Sequence, residues 1–302
     1  MNDLSVATIV FGGIVLTITV VWMVWTVRQA QISRRGPTDD VESYLRHDKA
    51  TGAVAMCVAV SGVVITGVIV HDHPVAIWPG AIAGVLAIIA SERRWPRPSG
   101  SIRSVPLVAP RGAWRLIPWL GVTLAGIGLV AAALVIGFCW MVGDTPDGRT
   151  IRGNVTWPGQ GGPDGVVIVD GFPGWSVGLI TALGGVALLG TVAVGWLLVA
   201  RRPALRAVLP DLDLQFRRAS IDRMVRIVAI AALMTTSEFY ESARSTYVEL
   251  QLKMNPLVGQ PAQPFGWLPL ACSFLILVAY LFNRPRPKLG SELSPATANQ
   301  PI

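Results

Sequence analysis

Six stretches of this sequence, residues 8–27, 52–70, 75–90, 116–142, 174–200 and 265–282, each run for about the thickness of a bilayer's hydrocarbon core without one charged side chain. In hydrocarbon a segment has no water to satisfy its backbone N–H and C=O groups, so apolar runs of this length and continuity are helices. Composition agrees. With 52% hydrophobic and 14% charged residues in 302, the chain lacks the charge that the surface of a soluble domain of this size requires. The expected fold class is an all-α, polytopic transmembrane helix bundle.

A seventh segment is different in kind. Residues 211–255, between Pro210 and Pro256, contain neither Gly nor Pro, in a sequence that holds 31 Gly and 22 Pro. The simplest structure for such a gap is one long helix with an approach segment. Its middle, 221–240, has the length of a crossing but carries Arg223 and Arg226 at one end and Thr235, Thr236, Ser237 and Glu238 at the other. This reads as a polar transmembrane helix packed inside a bundle, which makes seven spans.

Charge distribution orients them. If the N-terminus is outside, 21 Lys/Arg fall in the cytoplasmic pieces 28–51, 92–115, 200–226 and 283–302, against 4 on the outer side. That asymmetry is the positive-inside pattern, and it places the C-terminus in the cytoplasm. Without 221–240 as a span, the basic tail would lie outside. The first apolar run is preceded by one acid and no base and is followed by Arg28, Arg34 and Arg35, the reverse of a cleavable signal peptide. It is expected to be an uncleaved span.

The connectors complete the layout. Residues 71–74 make a tight outer turn, and Pro79, Gly80 and Gly84 permit close helix contact on the span that follows. Gly174, Gly178, Ala182 and Gly190 recur at multiples of four and predict a groove for a neighbour. The outer loop 143–173 holds two β-capable runs, 150–157 and 166–172, around a Gly-rich turn, a hairpin-like cap. Residues 283–302 are Pro-rich and polar and read as a disordered cytoplasmic tail. Trp78, Leu86, Ala90, Pro96, Arg97 and Pro98 recur 189 positions later as Trp267, Leu275, Ala279, Pro285, Arg286 and Pro287. Shared topology explains that match as well as duplication does.

The candidate site lies on the long segment. Thr235, Glu238, Ser242, Ser245 and Glu249 recur at steps of three and four and form one polar stripe, with Tyr240 on the more apolar face beside it. At about 1.5 Å per residue Glu238 lies roughly 24 Å along the helix from Asp222, in the outer half of the bilayer. It stands out as the acid held inside a span. A carboxyl group there must face protein or a wet cavity, and a proton-coupled carrier needs such a group. The plainer alternative has Glu238 near the outer boundary, bonded to Arg244, Thr235 or a loop. Glu241 and Arg244 are expected to pair locally.

Other constellations are weaker. His71 and His73 flank Asp72 in the outer turn and supply only part of a metal shell. Asp144, Asp147, Asp164 and Asp170 fit no calcium loop and suit turns. Asn154-Val155-Thr156 has the form of a glycosylation acceptor. Cys57, Cys139 and Cys272 read as small core residues. Arg223 and Arg226 are expected to snorkel toward lipid phosphates. No Walker-type loop, no G-x-S-x-G and no H-E-x-x-H occurs in the sequence.

Three function classes follow: a non-catalytic subunit, scaffold or assembly partner; a small-solute or proton-coupled transporter using Glu238; and an intramembrane enzyme at the outer face. The first is favoured. No cofactor is expected. The expected partners are membrane lipids and other membrane subunits or further copies of the chain, and not nucleic acid, because the bases form islands between apolar runs. Only Lys49, Lys253 and Lys288 among 25 basic residues are Lys. With the Ala/Gly/Val/Pro/Arg bias, this points to a high-GC bacterium and its cytoplasmic membrane.

Overall fold

A computed structural model describes residues 40–70, 73–93, 116–142, 150–155, 165–170, 172–202 and 210–254. They form five helices and a two-stranded ribbon: α1 (Asp40–Val70), α2 (His73–Glu92), α3 (Trp119–Val142), β1 (Thr150–Val155), β2 (Gly165–Asp170), α4 (Trp175–Arg201) and α5 (Pro210–Met254). The expected spans 8–27 and 265–282 and the tail 283–302 lie outside the described residues.

Among the described residues, four helices are long and apolar enough to cross a membrane: Arg46–Gly67, Val75–Glu92, Trp119–Val142 and Trp175–Arg201. Leu134 on α3 and Leu183 and Val186 on α4 point outward and are well over half exposed, the arrangement a hydrocarbon solvent favours. Hydroxyl groups on these helices are satisfied locally. Thr66, Thr123, Thr181 and Thr191 each donate to the carbonyl four residues earlier, at 2.7 to 2.9 Å.

Helix α5 is unbroken over 45 residues, as the absence of Gly and Pro predicts. It is about 68 Å long, roughly twice the hydrocarbon thickness. It is not among the helices apolar enough to be read as spans. From Asp213 to Phe239 it is nevertheless largely buried, with Ile221, Met224, Val228 and Ala232 in the main core beside Val85 and Ile88 of α2 and Leu188 of α4.

Small residues set the helix spacing. Helices α1 and α2 run antiparallel, joined by two residues, and touch backbone to backbone. A β-carbon at Gly62 would sit 2.7 Å from the Cα of Gly80, and one at Gly84 would sit 2.7 Å from the Cβ of Ala59. Gly80 and Gly84 thus make the close approach expected of them. Helix α3 runs parallel to α5, with Gly121 against Asp222 and Gly128 against Ala229 and Ala232.

On α4 the expected small-residue groove is only partly used. Gly178 meets Ile136 of α3, whereas Gly190 faces open space, and the close contacts are made by Gly184 and Gly185 on Trp78 and by Gly195 on Met224 and Ile89. Sequence spacing identifies a stripe of small residues but not which side a neighbour occupies. Trp78 is buried against α4 by these contacts.

The other end of the bundle is covered by β1 and β2, which pair antiparallel with Thr150 opposite Asp170 and Val155 opposite Gly165. Ile151 and Val169 bury with Phe172, Cys139 of α3, Val177 of α4 and Phe239 and Leu250 of α5, forming a second, smaller core. Asp170 is exposed; Asp144, Asp147 and Asp164 lie outside the described residues.

Candidate functional site

Opposite the ribbon, the ends of four helices bring charged groups together inside the protein. Helix α1 begins at Asp40, within a segment expected to be a connector, so its first turns carry His47 and Asp48 into the bundle. Glu92 ends α2, Arg202 follows α4, and the first turns of α5 present Asp213, Arg217, Ser220, Asp222, Arg223 and Arg226.

These groups engage one another across helices. Arg223 donates to Asp48 from both terminal nitrogens, at 2.6 Å to Oδ1 and 2.5 Å to Oδ2. Arg202 donates to Glu92 at 2.7 Å and to Asp213 at 3.0 Å. Asp213 accepts from Arg217 at 2.8 Å as well, and Arg217 also donates to the carbonyls of Val199 and Ala200, which end α4. The hydroxyl of Ser220 lies 2.5 Å from the second oxygen of Glu92. Arg226 sits 2.8 Å from Asp222, one turn back on its own helix. Arg218 donates to the carbonyl of Ile117, and His47 Nε2 lies 3.2 Å from the carbonyl of Ser91.

The belt is internally neutral: four carboxylates, Asp48, Glu92, Asp213 and Asp222, face four guanidinium groups, Arg202, Arg217, Arg223 and Arg226. Burial would be prohibitive for any one of these charges alone. It is tolerated because each carboxylate has a close cation and most lone pairs have donors. Small residues make room for it. A β-carbon at Gly52 would sit 3.2 Å from Nε of Arg223, and one at Gly121 would sit 3.0 Å from Oδ1 of Asp222.

Two sequence expectations change here. Arg223 and Arg226, expected to reach toward lipid phosphates, are each only 8% exposed and are paired with carboxylates. Glu238 was singled out as the acid inside a span, yet Asp222 lies in the same interval, 221–240. The signal for the belt was a charged residue near one end of three apolar runs: Asp48, Glu92 and Arg202. Counting those acids by side of the membrane says nothing, because their role is set by which helix ends meet.

The stripe on α5 is present but divided. Thr235 and Thr236 are buried and donate to the carbonyls of Ala231 and Ala232. Ser245 is exposed and donates to the carbonyl of Ser242. Glu238, Tyr240 and Ser242 are half-buried and Glu249 is exposed. The hydroxyls of Thr235 and Ser245 are therefore turned onto their own backbone. Arg244 and Glu241 pair at 3.1 Å, as three-residue spacing predicts.

His71 lies outside the described residues and His73 opens α2. Among the described residues, no group of three or more His, Cys, Asp or Glu side chains is arranged to hold a metal ion. Cys57 and Cys139 are buried on α1 and α3; Cys272 lies outside the described residues. Asn154 sits in β1 opposite Val166. No protein-family model, curated protein or solved structure matches this chain.

Proposed function

We propose that this chain is a non-catalytic subunit, scaffold or assembly partner of a bacterial cytoplasmic membrane. In this reading it crosses seven times, with α5 as the sixth, polar span, the N-terminus and the ribbon outside and the C-terminus in the cytoplasm. The orientation is supported by the charge belt lying at the ends of α2 and α4 from which the Arg-rich sequences 92–115 and 200–209 continue, with the ribbon at the other end.

One observation carries the choice of class: the buried carboxylates of the belt are already engaged by arginines or a hydroxyl of the same chain. A carrier or an enzyme keeps polar groups available to a substrate. A belt closed on itself fixes helix positions and leaves the outer faces of α3 and α4 for lipid or neighbouring helices. The transporter alternative rests on the half-buried position of Glu238 one turn from the buried Thr235.

The test is the particle mass in a gentle detergent or nanodisc, by native mass spectrometry. A defined complex larger than the 32.2 kDa chain, whether of copies or of a fixed partner, is the expected result. A lone monomer that drives solute or proton flux on reconstitution would overturn the proposal.

A further inference from the structure

Helices α2 and α4 run parallel in contact, but their outer edges diverge into an open groove of about 840 Å³, lined by Leu86, Ile89, Arg93, Gly190, Val194 and Leu198 among others. Its walls are apolar apart from Thr191, whose hydroxyl donates to the carbonyl of Ala187, and one charged end. There Arg93 stands exposed just beyond α2, with no acid partner among the described residues, although the arginines of the belt close by are paired. Arg201, at the same end of α4, is also exposed.

The dimensions fit one leaflet. The lining runs over residues 187–198 of α4, about 16 Å at 1.5 Å per residue, which is about half of a 30 Å hydrocarbon core. The volume lies within the range of small-molecule sites, about 300 to 1,000 Å³. Gly190 keeps the groove open: a β-carbon there would meet nothing within 4 Å.

The geometry points to a binding site for one anionic phospholipid, with an acyl chain along the groove and the phosphate at Arg93. Basic positions beside clefts between transmembrane helices recruit anionic headgroups in this way, each cation favouring the anionic lipid about fivefold. The site is separate from the proposed scaffold role and stands or falls without it.

The experiment reconstitutes the full chain in nanodiscs of equal phosphatidylglycerol and phosphatidylcholine and counts lipids retained after detergent stripping by native mass spectrometry. Wild type should retain phosphatidylglycerol about fivefold above its bulk ratio. Arg93→Gln should return the ratio to bulk and Arg93→Lys should preserve the enrichment. Gly190→Leu, which fills space without touching the fold, should remove retention of both lipids. If Gly190→Leu fails to fold, the Arg93 pair decides alone. Retention at the bulk ratio by wild type, or wild-type enrichment in Arg93→Gln, overturns the assignment. So does cross-linking of Gly190→Cys to another segment of the chain or to a second copy, because the groove would then be covered by protein.

Discussion

Arg223 of α5 holds both carboxylate oxygens of Asp48 on α1, a two-pronged contact between residues 175 positions apart. Asp48 is 2% exposed, so neither charge has water to fall back on. Removing one partner should cost about 3 to 5 kcal/mol, as for other buried pairs. Asp48→Asn and Arg223→Met are each expected to lower the unfolding midpoint sharply, and Asp48→Leu combined with Arg223→Met should recover much of the loss. Arg223→Lys should behave as a damaging change, because an ammonium cannot make the fork. A thermal or denaturant melt of the purified protein in one detergent measures all four.

The exposed pair should behave in the opposite way. Arg244 and Glu241 meet at 3.1 Å, but the Glu241 side chain is 59% exposed, and water already solvates its carboxylate. Arg244→Gln should shift stability by less than about 0.5 kcal/mol. The same melt, compared with Arg223→Met, checks the contrast.

Glycine substitutions should separate by position rather than by spacing. A β-carbon at Gly80 would lie 2.6 Å from the carbonyl oxygen of Ala59, which is backbone and cannot rotate away. Gly80→Ala should therefore force α1 and α2 apart at a cost of about 1 to 3 kcal/mol. At Gly126 and Gly137 nothing lies within 4 Å, and Ala there should be neutral or stabilising by up to about 1 kcal/mol, since Ala is the better helix former. Unfolding midpoints of the three single variants decide this.

Glu238→Gln bears on function. Glu238 is half-buried, and the hydroxyls of Thr235 and Ser245 are turned to their own helix. The substitution keeps the size of the side chain and is expected to leave the protein folded and, for a scaffold, to leave proton and solute flux in liposomes unchanged. Loss of a pH-dependent flux in the Gln variant would establish the carrier reading instead.

The helices were largely legible in the sequence because their causes are local. An uncharged apolar run has no alternative to helix in hydrocarbon, and 45 residues without Gly or Pro offer no place to break. The spans expected at 52–70, 75–90, 116–142 and 174–200 accordingly fall close to the four apolar helices described. The start of α1 was not legible, because residues 40–51 carry mixed charge and look like a connector until Asp48 is seen facing Arg223.

What the sequence determined alone was therefore which segments are helical and which of them are greasy enough for a membrane, since both follow from the character of consecutive side chains. Only the tertiary structure decided which charges meet and which glycines touch a neighbour. Those outcomes depend on the rotation of each helix about its axis and on the level at which helix ends come together. The same arginine is lipid-facing or locked to an acid according to that rotation, and no stretch of neighbouring residues encodes it by itself.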